Sequence, residues 1–331
     1  MTTTTAASSR KKSVADIFRD TTTVNFAEEE PRYLSDLSPQ QLAVLDKLRE
    51  SVSKEPYPEM DGQTGTFRLD DRTLLRFLRA HSFNGYKATC AVKEHLKFRQ
   101  QYVPHLITPK QVKGFIDLGF WQTMGLTRDG HPFELIVANK FNPQKLPGDE
   151  LIRGLVYQRE QVANLIRDKQ MSQEQVLLDE TSDDFVLRER TLLLIDAAEF
   201  NFVTQGSVNG MRQIKMIAEL IQQHWPGTLG VAAVVNASVA FKWVFTLVRR
   251  LLDEETASRI TFVGNLQELH ELIDPSVLSK RYGGMLDDVI ASPTRTNASF
   301  RKTLVGKIKL PSSPSTSTAS MSSTTALVSK E

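Results

Sequence analysis

The segment from Trp225 to Gly264 restricts the fold more strongly than any other part of the chain. It contains the valine-rich run Leu229–Val235, which lies between a Pro-Gly-containing stretch and an asparagine and is typical of a buried strand. An aromatic amphipathic helix, an acidic turn and a second short strand, Ile260–Val263, follow in that order. A strand, a helix and a strand in succession predict an α/β fold for this part of the chain.

The helix between these two strands has a wide apolar face. In a helical projection its apolar side chains fill an arc of roughly 200°, and its polar side chains fill roughly 100°. An ordinary core helix needs less apolar surface, and a cationic strip suits an anionic membrane surface, so we favour a functional role over a purely structural one. The apolar face consists of Phe241, Trp243, Val244, Phe245, Leu247, Val248, Leu251 and Leu252, and the polar strip of Lys242, Thr246, Arg249 and Arg250.

Composition limits the class of protein. The chain has 331 residues, of which 40% are hydrophobic, which is enough for one large domain and a smaller one. Its formal net charge of +2 gives no argument for nucleic acid as a partner. The single cysteine, Cys90, excludes an intramolecular disulfide and favours a reducing compartment. No apolar stretch approaches the ~20 residues of a membrane-spanning helix, and the N-terminus lacks the apolar stretch of a secretory signal, so we expect a cytoplasmic protein.

The pattern along the chain predicts four regions. Residues 1–35 and the tail 291–331 are rich in Ser and Thr and are predicted to be disordered. Residues 36–108 are helical in pattern, and residues 109–290 alternate between strand-like and helical segments. Helices are predicted from Ser38, from Asp70 or Asp71, and over about 86–102, 149–169, 207–224, 240–252 and 266–273; strands are predicted over 133–138, 191–195, 229–235 and 260–263.

The sequence contains none of the common catalytic or cofactor-binding motifs. It lacks G-x-S-x-G, the P-loop and G-x-G-x-x-G, and its six histidines do not show metal-ligand spacing. We therefore predict a non-enzymatic protein with no catalytic residue, no cofactor and no metal site. Asp196 follows a predicted strand, and a capping role is the favoured interpretation. A cationic stripe is slightly better explained as a solvated or lobe-contacting face than as a phosphate site; it consists of Arg68, Arg72, Arg76 and Arg79.

Six short motifs occur in a fixed order over residues 38–286. The first is LDDRTLLRFLRAHSF at Leu69–Phe83, and the second is the turn Asp129-Gly130-His131-Pro132. The others are an apolar strand that ends in Asp196, the stretch from Trp225 to Phe241, the stretch Leu252–Ile260, and Arg281–Gly284. In this order they resemble the motifs of the CRAL-TRIO lipid-binding family, which includes phosphatidylinositol/phosphatidylcholine transfer proteins and carriers of tocopherol and retinal.

The resemblance implies a fold and a pocket. The fold is α/β: an N-terminal helical lobe packs on a CRAL-TRIO α/β lobe that holds an open hydrophobic lipid pocket. The amphipathic helix at about Ala240–Leu252 is then the mobile gate over that pocket. Its apolar face supplies the gate and pocket residues, whereas Lys242, Arg249 and Arg250 face the membrane surface.

The resemblance also implies positions for a lipid headgroup. Phosphoinositide-transferring members hold the headgroup with an arginine, a glutamate, a threonine and a lysine. In this chain those positions are occupied by His81, Gly227, Thr256 and Arg259. The family's phosphatidylcholine site uses strand hydroxyls; Thr123 and Thr191 lie at or near such positions, while Leu193 replaces one hydroxyl. The ligand is therefore left open between a phospholipid and a less polar lipid.

These features together predict a non-enzymatic lipid-transfer protein. We expect it to bind a phospholipid or another hydrophobic lipid and to move it between membranes through a gated pocket. It is expected to be cytoplasmic and to associate transiently with membranes as a peripheral protein. The alternative is a lipid-sensing adaptor that reports a bound lipid to a protein partner. An enzyme on an α/β scaffold has no supporting motif.

Overall fold

A mixed five-stranded sheet forms the centre of the fold. In the computed structural model the strand order is β1-β2-β3-β4-β5; β1 pairs with β2 antiparallel, and all other neighbours pair in parallel. The strands are β1 (Trp121–Leu126), β2 (Pro132–Val137), β3 (Thr191–Asp196), β4 (Leu229–Val235) and β5 (Ile260–Phe262). The sequence predicted the last four to within one residue at each end. It did not predict β1, whose sequence WQTMGL shows neither an apolar run nor a clear alternation.

The structure describes residues 37–54, 69–127, 131–173, 190–271 and 273–287. They all lie within one compact unit, Met1–Pro293. The regions 1–35 and 291–331 lie outside the described residues, as do Arg68 and Asp129-Gly130. The division into a helical lobe at 36–108 and an α/β lobe at 109–290 stays a prediction; the helical lobe is the described part of the first range, and the α/β lobe is the described part of the second.

Polar side chains cap the N-termini of the first two helices at the positions that the sequence predicted. Ser38 forms a capping box with Gln41, and Asp70 rather than Asp71 caps the second helix. The described helices are α1 (Pro39–Ser53), α2 (Asp71–Ala80), α3 (Gly85–Tyr102), α4 (Lys113–Leu118), α5 (Gly148–Gln173), α6 (Val208–His224), α7 (Val239–Arg249) and α8 (Glu254–Ser258). The helix predicted near 266–273 is a 3-10 helix, Leu266–Glu271, and the amphipathic helix α7 ends at Arg249 rather than at Leu252.

The helical lobe has a core of its own. Helices α1, α2 and α3 meet through buried leucines such as Leu45, Leu48, Leu74 and Leu78, with Val92 on α3. The spacing of the leucines on α1 and α2 places them on one face of each helix, so the three helices pack around a single apolar centre.

Aromatic side chains join the helical lobe to the α/β lobe. The ring of Phe98 on α3 stacks on that of His224 at the end of α6, with a centroid separation of 3.9 Å and an interplanar angle of 17°. The Nδ1 atoms of His95 and His224 are 3.4 Å apart. Nearby, Arg99 forms a buried ion pair with Glu160 on α5 at 3.5 Å. This inter-lobe seam fixes α3 against α5 and α6.

The two faces of the sheet have different environments. Because side chains alternate along a strand, Phe133, Leu135, Leu192 and Leu194 point to one face, where they form a dense core with the C-terminal 3-10 segments. The alternate residues point to the opposite face, which α5, α6 and α7 cover only in part. That second face carries the candidate site.

Asp196 fastens the C-terminal segment to the sheet. Its fully buried carboxylate accepts hydrogen bonds from the hydroxyl of Tyr282 at 2.9 Å and from the amide of Asn236 at 3.0 Å, and it pairs with Arg281 at 2.8 Å. It also accepts a hydrogen bond from the backbone N–H of Ala198, which is the capping contact that the sequence suggested. Its role in the structure is therefore to hold several segments together.

Candidate functional site

A cavity of about 1140 Å³ lies over the second face of the sheet. Its wall is mostly apolar, and the alternation of the strands places Ile136, Leu193, Ile195, Ala232 and Ile260 along it. Side chains of α6 and α7 line further parts of the wall. The C-terminal end of α2 and the N-terminal half of α3 line the remaining part. The volume slightly exceeds the range of about 300–1,000 Å³ that is usual for small-molecule sites, so the cavity can hold an alkyl chain with a polar group.

The amphipathic helix α7 forms one wall of the cavity. Ser238 caps it by accepting a hydrogen bond from the N–H of Phe241 at 3.2 Å. Two aromatic contacts hold its inner side: Phe241 packs edge-on against Phe200, and Phe245 against Phe262, each with a centroid separation of 5.2 Å. Among the predicted gate and pocket residues, those that line the cavity are Phe241, Val244, Phe245, Val248 and Leu252.

The other side of α7 faces solvent. Trp243 is 73% exposed and Leu247 is 54% exposed, and Val239 lies one turn before Trp243 with 73% exposure. Neither Trp243 nor Leu247 lines the cavity, and Leu251 is half-buried outside its wall. The predicted membrane-surface residues Lys242, Arg249 and Arg250 are also exposed. The wide apolar arc read from the sequence is thus divided between a cavity side and a solvent side.

The structure brings most of the predicted headgroup residues to the cavity. His81, Thr191, Thr256 and Arg259 line it, as does Gly227. Arg259 is buried, and its NH1 group donates a hydrogen bond to the carbonyl of Leu229 at 2.8 Å. The hydroxyl of Thr256 donates to the carboxylate of Asp253 at 2.8 Å, so it is already engaged in the cap of α8. Burial, together with the charge of Lys87, lowers the pKa of His81 and favours its neutral form.

Thr123 does not line the cavity. Its hydroxyl accepts a hydrogen bond from the side-chain amide of Gln158 on α5 at 2.5 Å. The same amide donates to the carboxylate of Glu134 on β2 at 3.2 Å. Thr123 therefore supports a polar cluster in the cavity wall.

The sequence analysis missed the centre of this polar cluster. Glu134 is 1% exposed and accepts hydrogen bonds from the indole N–H of Trp121, at 3.1 Å, and from Arg159 on α5. Both charged residues line the cavity. A signal for Glu134 was present, because it is a charged residue inside the otherwise apolar strand PFELIV. Arg159 carried no signal, because α5 is rich in charged residues and only the packing shows which of them is buried.

Two kinds of feature are absent from the described ranges. No group of three or more His, Cys, Asp or Glu side chains that could hold a metal ion occurs there. In the same part of the chain, no helix combines the length and the apolar character that crossing a bilayer requires.

A large, mostly apolar cavity that is lined by an α/β lobe and by helices of a helical lobe is the architecture of a protein that takes up a hydrophobic ligand. The chain belongs to the CRAL/TRIO domain family, whose sequence model matches residues 119–284. This is a family of lipid-binding and lipid-transport proteins, so the membership predicted from the motifs is confirmed.

Individual relatives support the same assignment. The chain is 28% identical to mouse Clavesin-2 over 248 residues, which cover 73% of this chain and 68% of the relative. It is 26% identical to Clavesin-1 of Xenopus laevis over 269 residues, covering 79% and 71%. The solved structure of Sfh5 superimposes with a TM-score of 0.55 at 15% identity and covers 81% of this chain and 98% of that one. The likeness to Sfh5 supports the fold alone, and it confirms the predicted fold class.

Proposed function

We propose that this protein binds a lipid in the cavity and transfers it between membranes without altering it chemically. The observation that carries the proposal is the mostly apolar cavity of about 1140 Å³, one wall of which is the amphipathic helix α7. Membership of the CRAL/TRIO family assigns lipid binding and transfer in general terms. The polar cluster of the wall has no arrangement of nucleophile and base, and this favours a carrier over an enzyme.

The energetics explain why such a carrier is useful. Burial of each CH₂ group is worth about 0.8 kcal/mol, so bringing a sixteen-carbon chain into water costs on the order of 12 kcal/mol. Transfer from the hydrocarbon of a bilayer to an apolar cavity changes this term little. The protein therefore acts by removing the exposure of the chain to water.

The outer surface of α7 is suited to contact with a membrane. The exposed Trp243 and Leu247 lie beside the cations Lys242 and Arg250, and this combination matches the apolar and anionic layers of a bilayer surface. A neighbouring loop extends the surface, because Phe202, which is 47% exposed, contacts Phe200, which in turn packs on α7. We call Trp243, Leu247 and Phe202 the apolar membrane patch. In this proposal the protein is cytoplasmic and binds membranes transiently.

Helix α7 is proposed to act as the gate. Its closed position depends on the pairs Phe241–Phe200 and Phe245–Phe262 and on the burial of Val244. Aromatic pairs of this kind contribute about 0.5–1.5 kcal/mol each beyond their burial. Entry of the apolar membrane patch into the bilayer interface offsets a loss of this size, so opening is favoured at the membrane and disfavoured in water.

A vesicle assay tests the proposal. Fluorescent phosphatidylcholine, phosphatidylinositol and a fluorescent sterol are each offered in donor vesicles that contain anionic lipid, with acceptor vesicles in excess. We expect at least one of these lipids to be transferred by the full chain. Trp243→Asp should slow that transfer by about tenfold or more, since loss of about 1.4 kcal/mol of interfacial burial is a tenfold effect.

Leu106→Asp is the matched control, because Leu106 is 63% exposed and lies outside α7 and outside the loop that carries Phe202. This variant should transfer lipid at the unmodified rate. If the folded Trp243→Asp protein transferred lipid normally, the gate assignment would be wrong. If the protein extracted a lipid but retained it in the presence of excess acceptor vesicles, the lipid-sensing adaptor would be the better description.

A further inference from the structure

The N-terminal end of helix α7 is anchored by a buried carboxylate. The side-chain amide of Asn236 donates a hydrogen bond at 3.0 Å to Asp196, which is fully buried. Hydrogen bonds to a carboxylate are roughly twice as strong as those between neutral groups. Asn236 also has a φ of +55°, in the left-handed region that asparagine adopts more readily than most residues. A strong contact and a defined backbone angle therefore fix the residue from which α7 departs.

The C-terminal end of α7 is held by one neutral side chain. Gln222 on α6 donates a hydrogen bond from its amide to the carbonyl of Leu251, at 3.4 Å, and accepts one from the backbone N–H of Asp253, at 2.8 Å. These two backbone groups flank Leu252, so the Gln222 amide spans the turn between α7 and α8. The bond to Leu251 is longer than the usual range of about 2.7–3.2 Å. A small displacement of the turn is therefore enough to break it.

Burial along α7 decreases in the same direction. The buried residues of the helix are Phe241 and Val244, both in its first half. The cavity-lining residues that follow, Phe245, Val248 and Leu252, are only half-buried. Because the hydrophobic cost of a movement scales with the apolar area that it exposes, displacement of the second half costs less than displacement of the first.

The cavity reaches the surface beside the C-terminal end of α7. Asp253 and Glu254 line the cavity and are exposed, and the same is true of Glu219 and Gln223 on α6. By contrast, none of residues 236–239, at the other end of α7, lines the cavity. A shift of the C-terminal end therefore widens an existing opening, whereas a shift of the N-terminal end would have to create a new one.

We propose that α7 opens by pivoting about Asn236 and lifting at its C-terminal end, and that Gln222 is the positioning residue that latches this end in water. This inference rests on the proposed function, because it concerns the gate for the same lipid cargo. The turn at residues 250–252 lengthens by roughly 5 Å when its helical rise becomes extended, so the end of α7 moves without unfolding α8. The exposed cations Arg249 and Arg250 lie at this end, so attraction to an anionic membrane acts on the end that lifts.

Distances between spin labels test the direction of opening. The background is Cys90→Ser, because Cys90 is the single cysteine of the chain. One label is placed at Lys215→Cys on α6, whose side chain is 53% exposed, and the second at either Val239→Cys or Arg250→Cys, both exposed positions. Double electron–electron resonance is recorded for the full chain in buffer and on vesicles of phosphatidylcholine and phosphatidylserine.

The two pairs of labels should respond differently to vesicles. We expect the distance from position 215 to position 250 to lengthen by about 5 Å, and the distance from 215 to 239 to change by less than half as much. An equal or larger change at position 239, or no change at position 250, would overturn the pivot.

The variant Gln222→Met tests the latch, because methionine keeps the length of the side chain and removes both hydrogen bonds. Lipid should leave preloaded protein for acceptor vesicles about fivefold to tenfold faster, which is the effect of one net hydrogen bond. Gln213→Met is the matched control. Gln213 also lies on α6 and donates to two backbone carbonyls, those of Pro143 and Leu146, but it does not line the cavity. This control should lower the midpoint of thermal unfolding and keep the release rate, as would Gln222→Met if Gln222 were purely structural.

The outcomes separate this inference from the proposed function. If the unmodified protein transfers lipid and Gln222→Met releases it at the unmodified rate, the latch is overturned and the carrier function stands. If the unmodified protein transfers no lipid, the carrier function fails together with the inference. If Gln222→Met does not fold, the label distances in a protein with an intact latch still decide the direction of opening. Faster release in Gln222→Met, with lengthening confined to position 250, supports the inference.

Discussion

Gly227 illustrates how a single backbone angle limits the headgroup chemistry of the cavity. Its φ of +69° lies in the left-handed region, which glycine adopts without a steric cost. Space does not oppose a side chain here, because an added Cβ would find its nearest neighbour, Cγ of Arg76, at 3.9 Å. The resemblance places a headgroup-binding glutamate at this position in phosphoinositide-transferring members. In this chain the turn would be strained by any such residue, by about 1–3 kcal/mol.

The residue-scale prediction is a gain in phosphatidylinositol binding. We expect His81→Arg combined with Gly227→Glu to raise phosphatidylinositol binding, because the exchange restores a cation and a carboxylate at two positions that line the cavity. The single variant Gly227→Glu should lower the free energy of unfolding by about 1–3 kcal/mol. Binding is measured with phosphatidylinositol-containing vesicles and stability by chemical denaturation. His105→Arg, outside the cavity wall, is the control, and no gain in the double variant would mean that the headgroup sits elsewhere.

The residues that line the cavity were only partly predictable from the sequence. The motif positions His81, Thr191, Thr256 and Arg259 were named from the sequence, and all four line the cavity. Thr123 was named as well, but its hydroxyl is turned to Gln158. A motif fixes a position along the chain, whereas the direction and partner of a side chain depend on packing between elements that are distant in sequence.

Helix α7 shows the same limit at the scale of one element. Its periodicity correctly indicated a helix with too much apolar surface for an ordinary core contact. It could not indicate which apolar residues turn inward, because that depends on where the sheet and the loop that carries Phe200 and Phe202 approach the helix. Phe241 and Phe245 meet Phe200 and Phe262, whereas Trp243 has no comparable ring contact among the described residues. Strand β1 escaped prediction for a similar reason: its place in the sheet depends on pairing with β2.

The aromatic contact between Phe245 and Phe262 gives the element-scale prediction. Phe262→Leu keeps a large apolar side chain but removes the ring pair, which should destabilise the closed position of α7 by about 1 kcal/mol. If opening of α7 limits transfer, lipid should be released to acceptor vesicles about fivefold faster. The measurement is the rate of release from preloaded protein.

The control for this variant is Phe115→Leu. It also removes one member of an edge-on ring pair, with Phe120 at 5.1 Å, but Phe115 lies in the core beside α5 and does not line the cavity. This change should lower the stability of the whole protein without changing the rate of release. Equal release rates in Phe262→Leu and in the unmodified protein would show that α7 does not limit exit.

At the scale of the whole molecule, the sequence predicted most of the helices and strands but not the cavity between them. The α/β alternation and the helix caps follow from local patterns, and the order of the motifs led to the family. The cavity is a property of how α5, α6 and α7 stand off from one sheet face, which no local pattern contains. The inter-lobe seam was unpredictable for the same reason, because His95 and His224 are far apart in the sequence and meet only in the folded chain.

The two buried histidines of the inter-lobe seam lead us to expect that the stability of the molecule depends on pH. Burial lowers the pKa of His224 to about 4, and burial and the charge of Arg99 lower the pKa of His95 well below its ordinary value. Glu94 opposes the shift at His224 and Arg76 adds to that at His95, so both groups face this pair. In the unfolded chain both histidines titrate near 6.5. Between these pH values the unfolded state binds more protons than the folded state, so the free energy of unfolding falls as the pH falls from about 6.5 towards 4.

We therefore expect the midpoint of thermal unfolding to drop between pH 7 and pH 5, by about 2–4 °C for each kcal/mol lost. His224→Gln should be less stable at pH 7, because it loses the stacking on Phe98, but its stability should change less with pH. His105→Gln is the matched control and should keep the full pH dependence, because His105 lies in a 3-10 turn outside the seam. Scanning calorimetry at several pH values measures all three proteins. If His224→Gln shows the same slope as the unmodified protein, the protons are taken up elsewhere and the seam does not set the pH response.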